Sequence, residues 1–399
     1  MSDLNKELGT YTKNLNKASQ DTNINNAMNR AVKSYRENVA SALERYPHTP
    51  ELAEEVRKIK EYSIEHNEEL LAQAMEVIEK NRGKAFYAKD KEEAFQILHD
   101  LIGTGKTIVK GKSMLGEELQ LRHILENAGN EVWETDLGEF ILQLKDDRPM
   151  HILSPAIHVP REQVAEIFSE FFKKTVPPDI TKEVEVVREF LREKYFQADV
   201  GISGANVVAA DTGQVVIIEN EGNVRLCTGA PPVHIVLVGI EKLVPTFLDS
   251  MKVAEVTWRY ANYTAPSYVN VISGPSKTGD IEKVTTYGAH GPKELYVIFV
   301  DNGRSEMMQE EDFKQASHCL RCGGCMYECP VFQITAGHYG RTYLSGIGSV
   351  WTTFVDGGLD MAAPMLYTCL RCGRCVERCP MKIDVPSMIG KLRSMVVSD

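Results

Sequence analysis

No run of this 399-residue sequence approaches the ~20 consecutive apolar residues that a membrane span requires. The opening Met-Ser-Asp-Leu-Asn-Lys lacks the apolar segment of a secretory leader, so the expectation is a cytoplasmic protein with no integral membrane segment. Positive charge is scarce. Lys and Arg number 45 against 56 Asp and Glu, a net charge of −11 that argues against nucleic acid or an anionic membrane as the main partner. No Gly-x-Gly-x-x-Gly is present to place a dinucleotide for hydride chemistry. Gly103-Thr-Gly-Lys-Thr107 resembles the end of a phosphate-binding loop, but Asp100 stands where that loop needs its first glycine. It also follows a helix pattern and opens a strand, the reverse of the required order. Cysteine is nearly confined to one stretch: of nine, only Cys227 lies outside residues 319–379, and it reads as a small core residue.

What is present is a repeat. Cys319-Leu-Arg-Cys-Gly-Gly-Cys-Met-Tyr-Glu-Cys-Pro and Cys369-Leu-Arg-Cys-Gly-Arg-Cys-Val-Glu-Arg-Cys-Pro share the C-x2-C-x2-C-x3-C-P spacing of bacterial four-iron, four-sulfur proteins. Three thiolates two residues apart wrap one cubane, with Gly323 and Gly373 letting the backbone approach inorganic sulfide. The fourth, turned away by its proline, reaches the other cubane. The spacing therefore assigns Cys319, Cys322, Cys325 and Cys379 to one cluster, and Cys369, Cys372, Cys375 and Cys329 to the second. Zinc uses pairs of C-x2-C, not repeated triplets with a trailing Cys-Pro, and nothing points to the oxidising compartment that disulfides require. The expected cofactors are two [4Fe–4S] clusters.

Ordinary composition and this length suggest two or three domains. Residues 1–85 carry apolar positions at helical spacing, such as Leu52, Val56 and Ile59, and Pro50 marks a helix start. Two or three helices are expected there, behind a loose, solvated polar arm of ~15–20 residues. From about residue 90 the pattern alternates. A helix at 91–102 precedes a strand at 107–111, a helix from 115 to 128, and strands at 131–134 and 151–154. Further helices at 162–172 and 183–195 precede strands at 206–210, 214–219, 234–238 and 294–300. This alternation predicts a parallel α/β sheet over 86–302. Residues 303–318 read as a polar linker or short helix. Residues 330–368 between the two cysteine runs are longer than a compact ferredoxin needs, so 303–399 is expected to be an α-helical ferredoxin domain. Its insert from Gly337 to Gly348 is expected to cover one cluster.

Several motifs in the middle of the chain, in order, are similar to the lactate-utilisation (LUD) domain. They are Lys112-Ser-Met114, Glu134-Thr-Asp-Leu-Gly-Glu139, Pro155-Ala-Ile-His158, Ile202-Ser-Gly-Ala-Asn206, Asp211-Thr-Gly213, Glu219-Asn-Glu-Gly-Asn223 and Pro232-Val-His234. With the cysteine runs behind them, residues from about 30 to 390 resemble the lactate-utilisation protein B family. That resemblance implies a NagB/ribose-5-phosphate isomerase/CoA-transferase-like α/β fold in an iron–sulfur protein of a multi-subunit system that oxidises lactate to pyruvate. The sequence departs from the family's pattern by stopping at Asp399 and by an insertion at 282–290.

Asp136, Glu139, His158, Asp211, Thr212, Glu221 and His234 break the apolar patterns of this domain. A transferase-like relative would use a glutamate as nucleophile or base and a glycine turn to hold an anion, and 201–204 or 211–213 offer such turns. Equally, Asp211-Thr-Gly213 is ordinary hairpin chemistry. Lys112 and Ser113 read as an exposed loop or as partners of a carboxylate. His318 is either a donor to a cluster sulfide or a plain surface histidine. Arg321 and Arg371 should raise the cluster potentials.

The expectation is an electron-transfer subunit of a lactate (2-hydroxy-acid) oxidising complex, rather than a stand-alone catalyst, with other subunits of that complex as partners. One alternative is a LUD-domain docking or metabolite-binding module with redox-sensing clusters. Another is service to a different, flavin-based bifurcating complex.

Overall fold

The computed structural model describes residues 2–398. Twelve strands occur among them: β1 Lys84–Ala88, β2 Thr107–Lys110, β3 Glu131–Glu134, β4 Val200–Ser203, β5 Val207–Ala209, β6 Gln214–Glu219, β7 Val233–Gly239, β8 Leu243–Val244, β9 Tyr268–Ile272, β10 Lys277–Thr278, β11 Thr286–Tyr287 and β12 Glu294–Val300. Six form one parallel sheet in the order β1-β12-β7-β4-β2-β3. Because β12 alternates, Tyr296 and Ile298 pack on one face with Leu98, Ile102 and Leu125, while Val297 and Phe299 pack on the other with Leu70, Ala74 and Ile78. Both faces are thus buried under helices, as parallel strands require. A second sheet, β8-β5-β6-β9, hangs on the carboxyl side of the first, and β10 and β11 form an exposed hairpin that carries the 282–290 insertion.

The predicted helix at 91–102 forms as Lys91–Ile102, and β6 and β12 match their predicted spans. Three expectations do not hold. Residues 151–154 form no strand: they are bends that carry His151 and Leu153 to the cysteine region. The helix expected from 115 to 128 is broken into Met114–Glu118 and Leu121–Asn127, because Gln120 turns left-handed at φ 52°. The N-terminal arm is not loose. Helix Ser2–Gln20 packs on the segments 330–338 and 358–368, with Ala18 buried and the Tyr11 hydroxyl donating to Thr368 Oγ1 at 3.1 Å. Helices Thr22–Arg45, Thr49–Glu65 and Asn67–Lys80 follow, so four helices precede β1. Asp21 caps the second by accepting from the Asn23 and Ile24 amides, worth about 1 kcal/mol.

The cysteine region is mainly helical. Helices Ser345–Val355, Gly358–Thr368 and Val385–Ser398 surround the two runs. Their core around Trp351, Phe332 and Met365 is continuous with Met28, Tyr35 and Val39 from the N-terminal helices. No helix is long and apolar enough to cross a membrane among the described residues.

Candidate iron–sulfur and polar-cavity site

Each cysteine run folds identically at short range. Arg321 and Arg371 lie at φ 61° and 52°, Gly323 and Gly373 at φ 76° and 81°, and the short helices Gly324–Glu328 and Arg374–Arg378 follow. Curling the chain left-handed at the glycine turns the backbone amides inward, as in anion-holding nests. One void is walled by Cys319, Cys322, Cys325, Cys375 and Cys379, and a second by Cys325, Cys329, Cys369, Cys372 and Cys375. The thiols crowd one another. Burial, then the neighbouring Cys379, pushes Cys322 up to about 12; burial, then Cys329 and Cys369, does the same to Cys375. Soft sulfur donors gathered in apolar walls, at the spacing of these two runs, fit iron–sulfur clusters. The insert beyond Gly337 contributes to both voids: Leu344 and Ile347 line the first, Ser345 and Gly346 the second.

Arg321 and Tyr343, in the wall of the first void, also face the α/β sheet. Arg304, at the start of helix Arg304–Gln309, is fully buried. Its Nε donates to Glu241 at 2.8 Å, and its Nη1 and Nη2 donate to Glu118 at 2.9 and 2.7 Å. Tyr343 donates to the same Glu118 at 2.5 Å, which ties the sheet to the insert. Segment 303–318 is therefore not a plain polar linker; its arginine is the centre of the contact. Lys60 donates to the Glu241 carbonyl. Burial would raise the Glu241 carboxyl, but Arg304, Lys242, Arg321 and Lys60 outweigh it and hold it at about 2.

Between the carboxyl ends of the parallel strands and the first run lies a cavity of about 260 Å³, the position where open α/β sheets bind ligands. Lys112 and Ser113 follow β2, Asp136 follows β3, Asn206 follows β4, and Lys242 follows β7; Arg321 and Tyr343 close it from the cysteine side. Lys112 is no exposed loop residue, for its Nζ donates to Asp136 at 2.8 Å and to the Leu153 carbonyl at 3.2 Å.

The polar residues singled out from sequence do not converge. Only Asp136 and Glu221 share this cavity. Burial, then Asp136, pushes Glu221 up to about 6. Glu139 faces an adjoining cavity beside Glu117 and Glu134, where buried Lys110 is paired with Glu134 at 2.6 Å. His158 bonds Asp147 at 3.0 Å, and His234 bonds Ser203 at 2.8 Å inside the sheet. Asp211-Thr-Gly213 is the β5–β6 hairpin, with Gly213 at φ 64°. Gly201 lies within β4 rather than in an anion-holding turn, and a side chain there would overlap the Cys227 carbonyl. Cys227 is buried with its Sγ 3.2 Å from Thr135 Oγ1, and burial pushes its thiol up to about 12. His318 is buried rather than a surface histidine, and burial pushes it down to about 3.

Lys60, Glu118, Glu241, Lys242 and Arg304 were missed. A signal existed for two of them: Glu241-Lys242 interrupts the apolar sequence from Val233 to Val244.

A LUD domain model matches residues 71–300, and a 4Fe-4S dicluster domain model matches residues 315–383. The chain is similar to lactate utilization protein B of Shouchella clausii strain KSM-K16, 36% identical over 358 residues covering 87% of this chain and 72% of that protein. Lactate utilization protein B of Bacillus subtilis strain 168 is 36% identical over 353 residues, covering 87% and 71%. The same-named protein of Geobacillus sp. strain WCH70 is 36% identical over 397 residues, covering 94% and 79%. A solved DUF162 family protein from Deinococcus radiodurans aligns with 59% of this chain and 98% of its own at 13% identity and a TM-score of 0.31, a likeness too loose to carry an argument.

Proposed function

Because the chain belongs to the lactate utilization protein B family, we propose that it is the iron–sulfur electron-transfer subunit of a complex that oxidises lactate. Three units are proposed, a helical segment at 1–85, the LUD α/β domain at 86–302 and the cluster domain at 303–399. In the last, Cys319, Cys322, Cys325 and Cys379 hold one [4Fe–4S] cluster, and Cys369, Cys372, Cys375 and Cys329 hold the other. The observation that carries the reading is the pair of voids sharing Cys325 and Cys375 in their walls, one enclosed by Leu320, Met326 and Leu344 and the other reaching the surface at Cys372.

Clusters bound there would supply one-electron acceptance and donation. The protein's own residues do the rest. Tyr343, Leu344 and Ile347 wall the first void, and Arg321, held over the Trp351 ring, sets positive charge beside it. Cys372 and Leu370 leave the second open to a docked chain. The removal of two electrons and two protons from lactate, leaving pyruvate, belongs to a partner subunit, since the chain carries no dinucleotide-binding motif to accept hydride.

The test is anaerobic purification of the tagged chain from its host with whatever co-purifies, followed by addition of lactate. Bleaching of the brown absorbance is the expected result. Absence of bleaching by lactate, in a complex whose clusters dithionite still reduces, would remove the lactate assignment.

A further inference from the structure

The third residue of each cysteine run is an arginine, Arg321 and Arg371, and both hold the same left-handed backbone, at φ 61° and 52°. Their side chains go different ways. Arg371 is exposed, and its Nε donates to the Pro386 carbonyl at 2.9 Å. Its guanidinium lies against Gly390, where an added side chain would meet Nη2 at 2.8 Å. It straps the second run to helix Val385–Ser398. Arg321 instead stands in the wall of the first void, over the Trp351 ring at 3.8 Å and the Tyr343 ring at 4.4 Å. Both rings are buried, and the Tyr343 hydroxyl is itself fixed by donating to Glu118 at 2.5 Å. Cation–π contact with two buried rings holds the guanidinium in one place. There its Nη2 is buried with no hydrogen-bond partner among the described residues. The carboxylate beside it, Glu241, is 3.9 Å away and is bonded by Arg304 at 2.8 Å. A buried charged donor without an acceptor is costly, and the void that Arg321 walls is where sulfur acceptors would stand.

We propose that Arg321, positioned by Trp351 and Tyr343, donates its open Nη2–H to a sulfur of the first cluster and so favours that cluster's reduced form, while Arg371 does nothing comparable for the second. The inference rests on the two-cluster assignment above. Hydrogen bonds to cluster sulfurs and nearby positive charge both raise a reduction potential, since the reduced cluster carries one more negative charge. The low dielectric around Arg321 preserves both effects, whereas solvent and salt screen the exposed guanidinium of Arg371. One motif used twice is thus tuned at one copy only, through a residue that both copies share.

The experiment is an anaerobic redox titration, followed by electron paramagnetic resonance, of the full chain with both clusters loaded. Arg321→Met should lower one cluster's midpoint by about 59 mV or more, a tenfold shift in a one-electron equilibrium, and leave the other in place. Arg371→Met should change neither equilibrium by more than about twofold, its charge being screened. Arg321→Lys keeps the charge but loses the planar donor fixed on the rings, and should recover only part of the shift. No shift in an Arg321→Met protein that retains both clusters, or equal shifts in Arg321→Met and Arg371→Met, overturns the proposal. If Arg321→Met fails to hold its clusters, Arg321→Lys decides, and a wild-type midpoint in that variant also overturns it. Midpoints that follow Arg321 in a complex that lactate does not bleach leave this inference standing and remove the lactate assignment; bleaching with no such shift does the reverse.

Discussion

The first cysteine run lies beneath helix Thr22–Arg45 and the bends at 151–154, whereas the second lies at the surface beside helix Val385–Ser398. Matched positions make the contrast concrete. Leu320 is 7% exposed and Leu370 65%. Arg321 is clamped on two aromatic rings, while Arg371 is exposed and donates to the Pro386 carbonyl. Gly324 touches Tyr35, where any side chain would strike the hydroxyl, but its counterpart Arg374 stands in solvent. One motif thus serves two ends of a path. A buried run can feel charge and ligands inside the protein, because low dielectric preserves their effect; an exposed one can meet another chain.

Breaking the contrast should cost most at Arg304. Arg304→Met leaves Glu118 and Glu241 buried without their partner and is expected to lose about 3–5 kcal/mol in chemical denaturation. A loss under about 1 kcal/mol would mean that the sheet and the first run are not joined through this pair. The next test exchanges the runs' surroundings. Gly324→Arg gives the first run the second's residue, collides with Tyr35 and should cost about 1–3 kcal/mol or more. Arg374→Ala at the matching position should stay within about 0.5 kcal/mol. Equal effects would erase the distinction between buried and open runs.

The smallest effect is the pH dependence. Burial pushes His151, His234 and His318 each down to about 3. A histidine whose folded value lies below its unfolded value of about 6.5 stabilises the protein above that pH and loses the contribution as pH falls from 6.5 towards 3. Two of the three adjoin the first run: His318 precedes Cys319, and His151 stacks on Tyr327 at 4.4 Å. The melting temperature should therefore fall below about pH 6.5, and less steeply in His151→Leu. An unchanged slope in that variant would place the acid sensitivity elsewhere.

By itself the sequence determined whatever depends on spacing along the chain. The repeated cysteines, the left-handed turns at Gly323 and Gly373, the strand–helix alternation and the hairpin at Asp211-Thr-Gly213 are local, so the order of residues carries them. Only the tertiary structure decided what lies next to each run. Tyr35 against Gly324, Arg304 between Glu118 and Glu241, and Arg321 across a cavity from Lys242 each join residues far apart in sequence. The N-terminal helices show the same limit, since their polar sequence suggested a free arm until packing on residues 330–368 gave their apolar face a place. Two nearly identical runs became different because burial and charge are properties of neighbours in space, which no local pattern records.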